Sequence, residues 1–184
     1  VNKVCEFVSN LGVDVSTLNF GGGFGAVYTS EDTPIPVDVV CETLIEAAKC
    51  NKEKYALNIN KICIEPGRSI VAEAGSTIYT VGFMKETPHK NYIFVDGGMS
   101  DNIRPALYQA HHAIQNITST QALETYDVVG PICESSDVFA KAIELNKCHR
   151  GDLLAIKSAG AYGEIMASRY NCRQLPIGYT NEDL

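Results

Sequence analysis

Two short apolar segments in the first third of the chain end in the same way, and that pairing constrains the fold more than any other feature. Thr17-Leu18-Asn19-Phe20 runs directly into Gly21-Gly22-Gly23-Phe24-Gly25, and Lys61-Ile62-Cys63-Ile64 runs into Glu65-Pro66-Gly67-Arg68. Each reads as a buried strand closed by a glycine turn. Between them Val37, Val40, Cys41, Leu44, Ile45 and Ala48 form an apolar stripe at helical spacing, just after Pro36. Ahead of them Val1, Val4, Val8 and Leu11 repeat at the same spacing, with Gly12 where a helix-ending glycine belongs. One more short helix is predicted over 69–75. Residues 1–76 therefore alternate helix, strand, helix, strand, helix, the rhythm of a parallel α/β unit.

From residue 77 the texture changes. Residues 77–84 and 92–95 are rich in β-branched and aromatic side chains, separated by the turn-like stretch 86–91. Further strands are predicted at 126–130 and 153–158, with helix confined to short connections such as 138–145. The expected organisation is thus an α/β part over 1–76 and a mostly antiparallel β domain over 77–184. A complete (β/α)8 barrel takes roughly 250 residues, so the first part is expected to supply only the last strands and helices of one. The start on Val1 without an initiator Met reads as a fragment or processed chain, and the stop at Leu184 reads as a clipped end.

Charge and cysteine usage narrow the partners. The net charge of −7 lacks the basic face that phosphate-backbone binding needs, so no nucleic acid is expected. No apolar run approaches a membrane span, and no secretory leader is visible. The seven cysteines include no pair at C-x-x-C spacing, and the four histidines do not cluster with them. Neither a zinc site nor a disulfide framework is expected, and most cysteines read as small core residues in a reducing cytosol.

The two glycine turns carry the first chemistry. A glycine run after a strand lets the backbone approach an anion and present N–H groups to it, although a flexible loop has the same composition. A second strand end of the same kind, leading into a helix, matches the phosphate site that barrels build after their last two strands. Glu65 would then sit at a strand's C-terminal end, where a carboxylate can stabilise a protonated ring nitrogen or simply cap a helix. After the turn at Asp96-Gly97-Gly98, Arg104 and Tyr108 share one face if the segment is helical. An Arg fork beside a phenol suits a carboxylate. A surface Arg packed over an aromatic ring is the simpler reading of those two residues alone. Cys133 and Glu134 stand side by side in Gly130-Pro131-Ile132-Cys133-Glu134-Ser135-Ser136-Asp137, a thiol and a carboxylate on one loop, although a lone Cys is more often inert. Tyr162, flanked by Gly160 and Gly163, reads as a ligand-stacking aromatic or as a strand turn.

Taken in order, GGGFG (21–25), EPGR (65–68), VDGGMSDNIRPALY (95–108), GPICESSD (130–137) and GDLLAIKSAGAYG with SRYN (151–171) resemble bacterial diaminopimelate decarboxylases over nearly the whole chain. These are pyridoxal 5'-phosphate enzymes of the alanine racemase-like group, with an α/β barrel, a β domain and a head-to-tail homodimer that shares active sites. The resemblance implies decarboxylation of the small amino acid meso-2,6-diaminopimelate to L-lysine and CO2 in the cytoplasm, with no metal. It implies that Gly22, Gly23, Gly67 and the Arg68 turn hold the cofactor phosphate, and that Glu65 pairs with the pyridine nitrogen. Arg68, Arg104 and Tyr108 would grip a substrate carboxylate, and Tyr162 would lie near cofactor and substrate. Cys133 would act as proton donor and Glu134 as substrate contact in the partner subunit's site. The group's Schiff-base lysine lies on an earlier barrel strand, and none of the ten lysines here occupies a matching motif. This stretch alone is therefore expected to be inactive. Neighbouring readings are an ornithine- or arginine-type decarboxylase of the same fold, where Glu134 rather than Asp after Cys133 argues against the ornithine type, and a non-catalytic dimerising relative.

Overall fold

The structure, a computed structural model, describes residues 1–183. It contains two compact units: Val1–Ala26 with Thr33–Ile70, and Val27–Asp32 with the chain from Val71 onward.

In the first unit, helix α1 (Asn2–Leu11) ends at Gly12, whose φ of 64° is the left-handed conformation that glycine adopts without a Cβ clash. Strands β1 (Thr17–Asn19) and β2 (Lys61–Cys63) pair in parallel, with Leu18 opposite Ile62. Helix α2 (Val37–Lys54) begins directly after Pro36. Cys5 and Val8 of α1 pack on Leu18 and Ile59 to form a small core. Of the apolar stripe on α2 only Ala48 is buried, while Val40 and Leu44 flank the glycine run.

Helix α3 is shorter than predicted, only Arg68–Val71 rather than 69–75. Beyond Val71 the chain turns to meet the segment after residue 158: Gly160 donates to Ala72 at 3.0 Å, and Ala159 donates to Gly75 at 2.9 Å. Gly75 and Gly160 touch so closely that a Cβ on Gly75 would lie 2.5 Å from the Gly160 Cα. Tertiary hydrogen bonds thus override the local helical preference.

The second unit is built on one six-stranded sheet, ordered β5-β8-β3-β4-β6-β7. Its strands are β3 (Thr77–Glu86), β4 (Asn91–Val95), β5 (Ile114–Asn116), β6 (Leu123–Val129), β7 (Val138–Asn146) and β8 (Leu153–Ile156). All pairings are antiparallel except β4 with β6. The end strands β5 and β7 still approach each other, so the sheet is strongly curved around its core. That core holds Val81, Ile93, Tyr126, Val128, Leu154 and Ile156, all nearly inaccessible to solvent.

Residues 138–145 form the strand β7, not the predicted helix. Ala140, Lys141, Ala142, Glu144 and Leu145 are good helix formers. Pairing with β6 from Leu123–Asn146 to Val129–Val138 outweighs that preference and buries Phe139 and Leu145. Residues 27–32 belong with the sheet unit: Ser158 Oγ donates to the Val27 carbonyl at 2.6 Å, and Ala113 donates to Tyr28 at 2.8 Å. Among the described residues no helix is long and apolar enough to cross a membrane.

Candidate functional site

In the first unit the ends of β1 and β2 are locked together. Phe20 donates to Cys63 at 2.9 Å, and Glu65 donates to the Gly21 carbonyl at 2.7 Å. Gly21 and Gly23 have φ of 71° and 88°, the region that favours glycine, and a methyl group on Gly22 would collide with the Glu65 carbonyl oxygen. Each glycine of the run is therefore required by backbone shape or by close approach. Among the described residues no acceptor meets the amides of Gly22, Gly23 or Phe24. The loop borders a cavity of about 270 Å³, faced on its other side by Ile35, Val40 and Leu44. Exposed N–H groups that answer to no acceptor are what a phosphate-binding turn offers.

Glu65 is exposed at the end of β2, and its Oε1 accepts a hydrogen bond from Asn19 Nδ2 at 2.6 Å. Asn19 also accepts the Gly21 amide through its Oδ1, at 2.8 Å. One Asn side chain therefore sets both the start of the glycine run and the direction of the carboxylate. Gly67 is a different case, since a Cβ there would meet open space. Arg68 opens α3 and makes no ion pair among the described residues.

In the second unit Arg104 is 8% exposed, a buried cation and not a surface one. It opens helix α4 (Arg104–Tyr108), so Tyr108 follows one turn later. The guanidinium carbon lies 5.4 Å from the ring centres of Tyr28 and Tyr162, and 5.8 Å from that of Tyr108. Its Nε is buried without a hydrogen-bond partner, and no carboxylate reaches it among the described residues. Three aromatic faces partly replace water around the cation. A desolvated charge without a counter-ion is costly, and that cost is relieved by an anionic ligand.

Tyr162 reaches Arg104 from an unusual backbone, at φ 71°, between Gly160 and Gly163. A Cβ on Gly163 would sit 2.5 Å from the Ala159 carbonyl oxygen, so the flanking glycines permit the turn. Beside Tyr162 opens a cavity of about 530 Å³ that Glu164, Ile165 and Leu175 also line. Behind Tyr28, His112 stacks edge-on at 5.0 Å, and its Nδ1 donates to the Lys157 carbonyl at 2.8 Å. Burial holds this imidazole below the ordinary histidine range and favours its neutral form, while the bond to the Lys157 carbonyl places the proton on Nδ1.

Cys133 and Glu134 are exposed on the loop between β6 and β7. Glu134 accepts a short hydrogen bond from the Tyr170 hydroxyl. Arg104, Tyr108 and Tyr162 thus converge, whereas Cys133 and Glu134 stand on a separate loop of the same unit. Three participants were not assigned from sequence: Asn19, Tyr28 and Tyr170. Asn19 had a local signal, since an Asn two residues before a glycine commonly caps its amide. Tyr170 lies in the Ser168-Arg169-Tyr170-Asn171 stretch, whose spacing alone points to no role. Tyr28 had no local signal, because the contacts that place it are remote in sequence.

Residues 8–160 match the family described as pyridoxal-dependent decarboxylase, C-terminal sheet domain. The chain is 47% identical over all of its length to diaminopimelate decarboxylase of Bacteroides thetaiotaomicron, covering 47% of that protein. It is 48% identical over 92% of its length to the Bacillus subtilis enzyme of the same name, covering 39% of it. A crystal structure of diaminopimelate decarboxylase from M. jannaschii with L-lysine superposes with a TM-score of 0.90 at 38% identity, over 95% of this chain and 41% of that one. The chain therefore spans less than half the length of these relatives.

Proposed function

Because the chain belongs to the pyridoxal-dependent decarboxylases, matched over their C-terminal sheet domain, we propose that it forms part of an enzyme converting meso-2,6-diaminopimelate to L-lysine and CO2. The observation that carries this reading is the glycine run at the paired ends of β1 and β2, with its unpartnered amides and the Glu65 carboxylate held by Asn19. These residues fit pyridoxal 5'-phosphate: an anion-accepting turn lies next to a fixed carboxylate.

In this reading Gly22, Gly23 and the Gly67-Arg68 turn hold the phosphate. Glu65 keeps a proton on the pyridine nitrogen. When bound, the cofactor supplies a cationic ring that takes up the electrons of the breaking C–CO2⁻ bond. Arg104, with Tyr108 and Tyr162 around it, binds a carboxylate of the substrate, and Arg68 is a second carboxylate contact. The aromatic cage excludes water from that pair, which strengthens the interaction and fixes the substrate's orientation. Glu134 binds a substrate amine, and the Cys133 thiol delivers a proton to the carbon that has lost CO2. Residues 1–76 serve the cofactor and contribute Arg68 and Tyr28 toward the substrate, and residues 77–184 serve the substrate and the dimer interface. The assembly is a homodimer with shared sites, working in the cytoplasm.

The test is CO2 release by the full-length protein from meso-diaminopimelate, L-ornithine and L-arginine, with the 184-residue chain assayed alongside. Turnover of diaminopimelate by the full-length protein is expected, with no borohydride-reducible cofactor adduct on the 184-residue chain. Preference for ornithine or arginine would overturn the substrate, and turnover by the short chain would overturn the assignment of its lysines.

A further inference from the structure

Asp137 closes the loop that carries Cys133 and Glu134, and its carboxylate is spent entirely on backbone. It is 3% exposed. Oδ2 accepts the Ile132 amide at 2.7 Å, one residue before Cys133. Oδ1 accepts the Met99 amide, also at 2.7 Å, in the turn that leads to Arg104. The main chain adds to this closure: Asp137 donates to the Glu134 carbonyl at 3.0 Å, and Gly130 donates to Asp137 at 3.0 Å. Two glycines make room for the carboxylate. A Cβ on Gly98 would lie 2.9 Å from Oδ2, and one on Gly130 would collide with it. Gly98 is itself held from the other side, its amide donating to Asp101 at 2.7 Å. Burial pushes the Asp137 carboxyl upward in pKa, and the two amides oppose that shift.

We infer that Asp137 is a positioning residue that ties the Cys133-Glu134 loop to the turn preceding Arg104, so that one buried carboxylate sets both substrate-facing segments. The inference rests on the roles proposed above for Cys133, Glu134 and Arg104. Its structural content does not depend on them. A carboxylate is needed for a specific reason: two N–H donors approach two oxygens, and an amide of the same shape has only one. Asn at this position leaves one amide facing an NH2 group.

The experiment is Asp137→Asn in the full-length protein, read by amide hydrogen exchange and by steady-state kinetics. Protection is expected to fall by about tenfold or more at whichever of Met99 and Ile132 then faces the NH2 group, and by less at the other, whose bond survives without the charge. Amides in the β3–β8 core should keep their protection. The kcat is expected to fall by about tenfold because the Cys133 donor is misplaced, and KM to rise by about threefold or more because Glu134 and the turn before Arg104 are loosened with it. If Asp137→Asn does not fold, Gly98→Ala makes the same test by driving a methyl group against the intact carboxylate, and a loss of protection at both amides is expected. Unchanged protection at both amides in a folded variant overturns the inference. So does a loss of kcat that a wholesale drop in core protection accompanies. Absence of diaminopimelate turnover by the unaltered protein would instead refute the proposed function and leave the exchange result to stand or fall by itself.

Discussion

Replacing Gly22 with Ala isolates the close approach of the two strand ends. The backbone of Gly22 does not lie in the positive-φ region, so a methyl group there carries no conformational strain and its whole effect is the collision with the Glu65 carbonyl. Relief requires β1 and β2 to separate at their ends, where Gly21 with Glu65, Phe20 with Cys63 and the Asn19 side chain on Glu65 hold them. Overpacking of this kind costs about 1–3 kcal/mol. Losing the 2.7 Å bond between Glu65 and Gly21 adds about 1 kcal/mol. A destabilisation of about 2–4 kcal/mol is therefore expected. Gly12→Ala is the matched control, because its Cβ meets nothing within 4 Å but its φ is 64°. That variant should lose about 1–2 kcal/mol, from the left-handed conformation alone. Urea unfolding measures both values, and titration with pyridoxal phosphate, followed by its absorbance, measures the site. Gly22→Ala should weaken cofactor binding by at least about tenfold, since the amides lose their convergence, while Gly12→Ala leaves affinity unchanged. If Gly22→Ala unfolds at the same midpoint as Gly12→Ala and binds the cofactor normally, the closeness of the strand ends is not what shapes the loop.

Arg104→Met keeps the volume between the three tyrosines and removes a buried charge with no counter-ion among the described residues. Stability should hold or rise by about 1 kcal/mol, while kcat/KM falls by at least about a hundredfold, as thermal melts and kinetics would show. His112 titrates below the ordinary histidine range because burial favours its neutral form. Its contribution to stability is therefore complete above about pH 6.5, where the unfolded residue is neutral, and is lost as pH falls toward the lower folded value. His112→Asn should reduce the acid-side slope of unfolding free energy by up to about 1.4 kcal/mol per pH unit, and an unchanged slope would show that the imidazole is solvated. Tyr170→Phe removes the hydroxyl that donates to Glu134, and KM for the substrate should rise by about threefold to tenfold with little change in melting temperature. An unaltered KM would mean that Glu134 is held by something else.

Much of the framework was legible because it is written in short-range patterns. Gly12 ends α1 with the predicted left-handed turn, α2 starts where Pro36 allows it, and β3 and β4 flank the 86–91 turn. The glycine run could be read as an anion site because the required backbone freedom belongs to the residue type itself. The failures share a cause. Residues 138–145 have helical composition, and only the edge of β6 makes them a strand. Residues 72–74 have helical composition too, but there the chain leaves the helix to meet Ala159 and Gly160 by hydrogen bonds and by the close approach of Gly75 to Gly160. Both outcomes depend on partners far away in the chain, which no local propensity contains.

The same division applies to the candidate site. Residue types and spacing alone pointed to a phosphate-binding turn, a strand-end carboxylate, and Arg104 with Tyr108 one helical turn apart, since each depends on backbone geometry within a few residues. Only the tertiary structure decided that Arg104 is buried among three tyrosines, that Asn19 aims Glu65, and that Asp137 joins two loops 38 residues apart. Burial and convergence arise where distant segments cross, and there desolvation, not local preference, sets what a charged side chain must find as its partner.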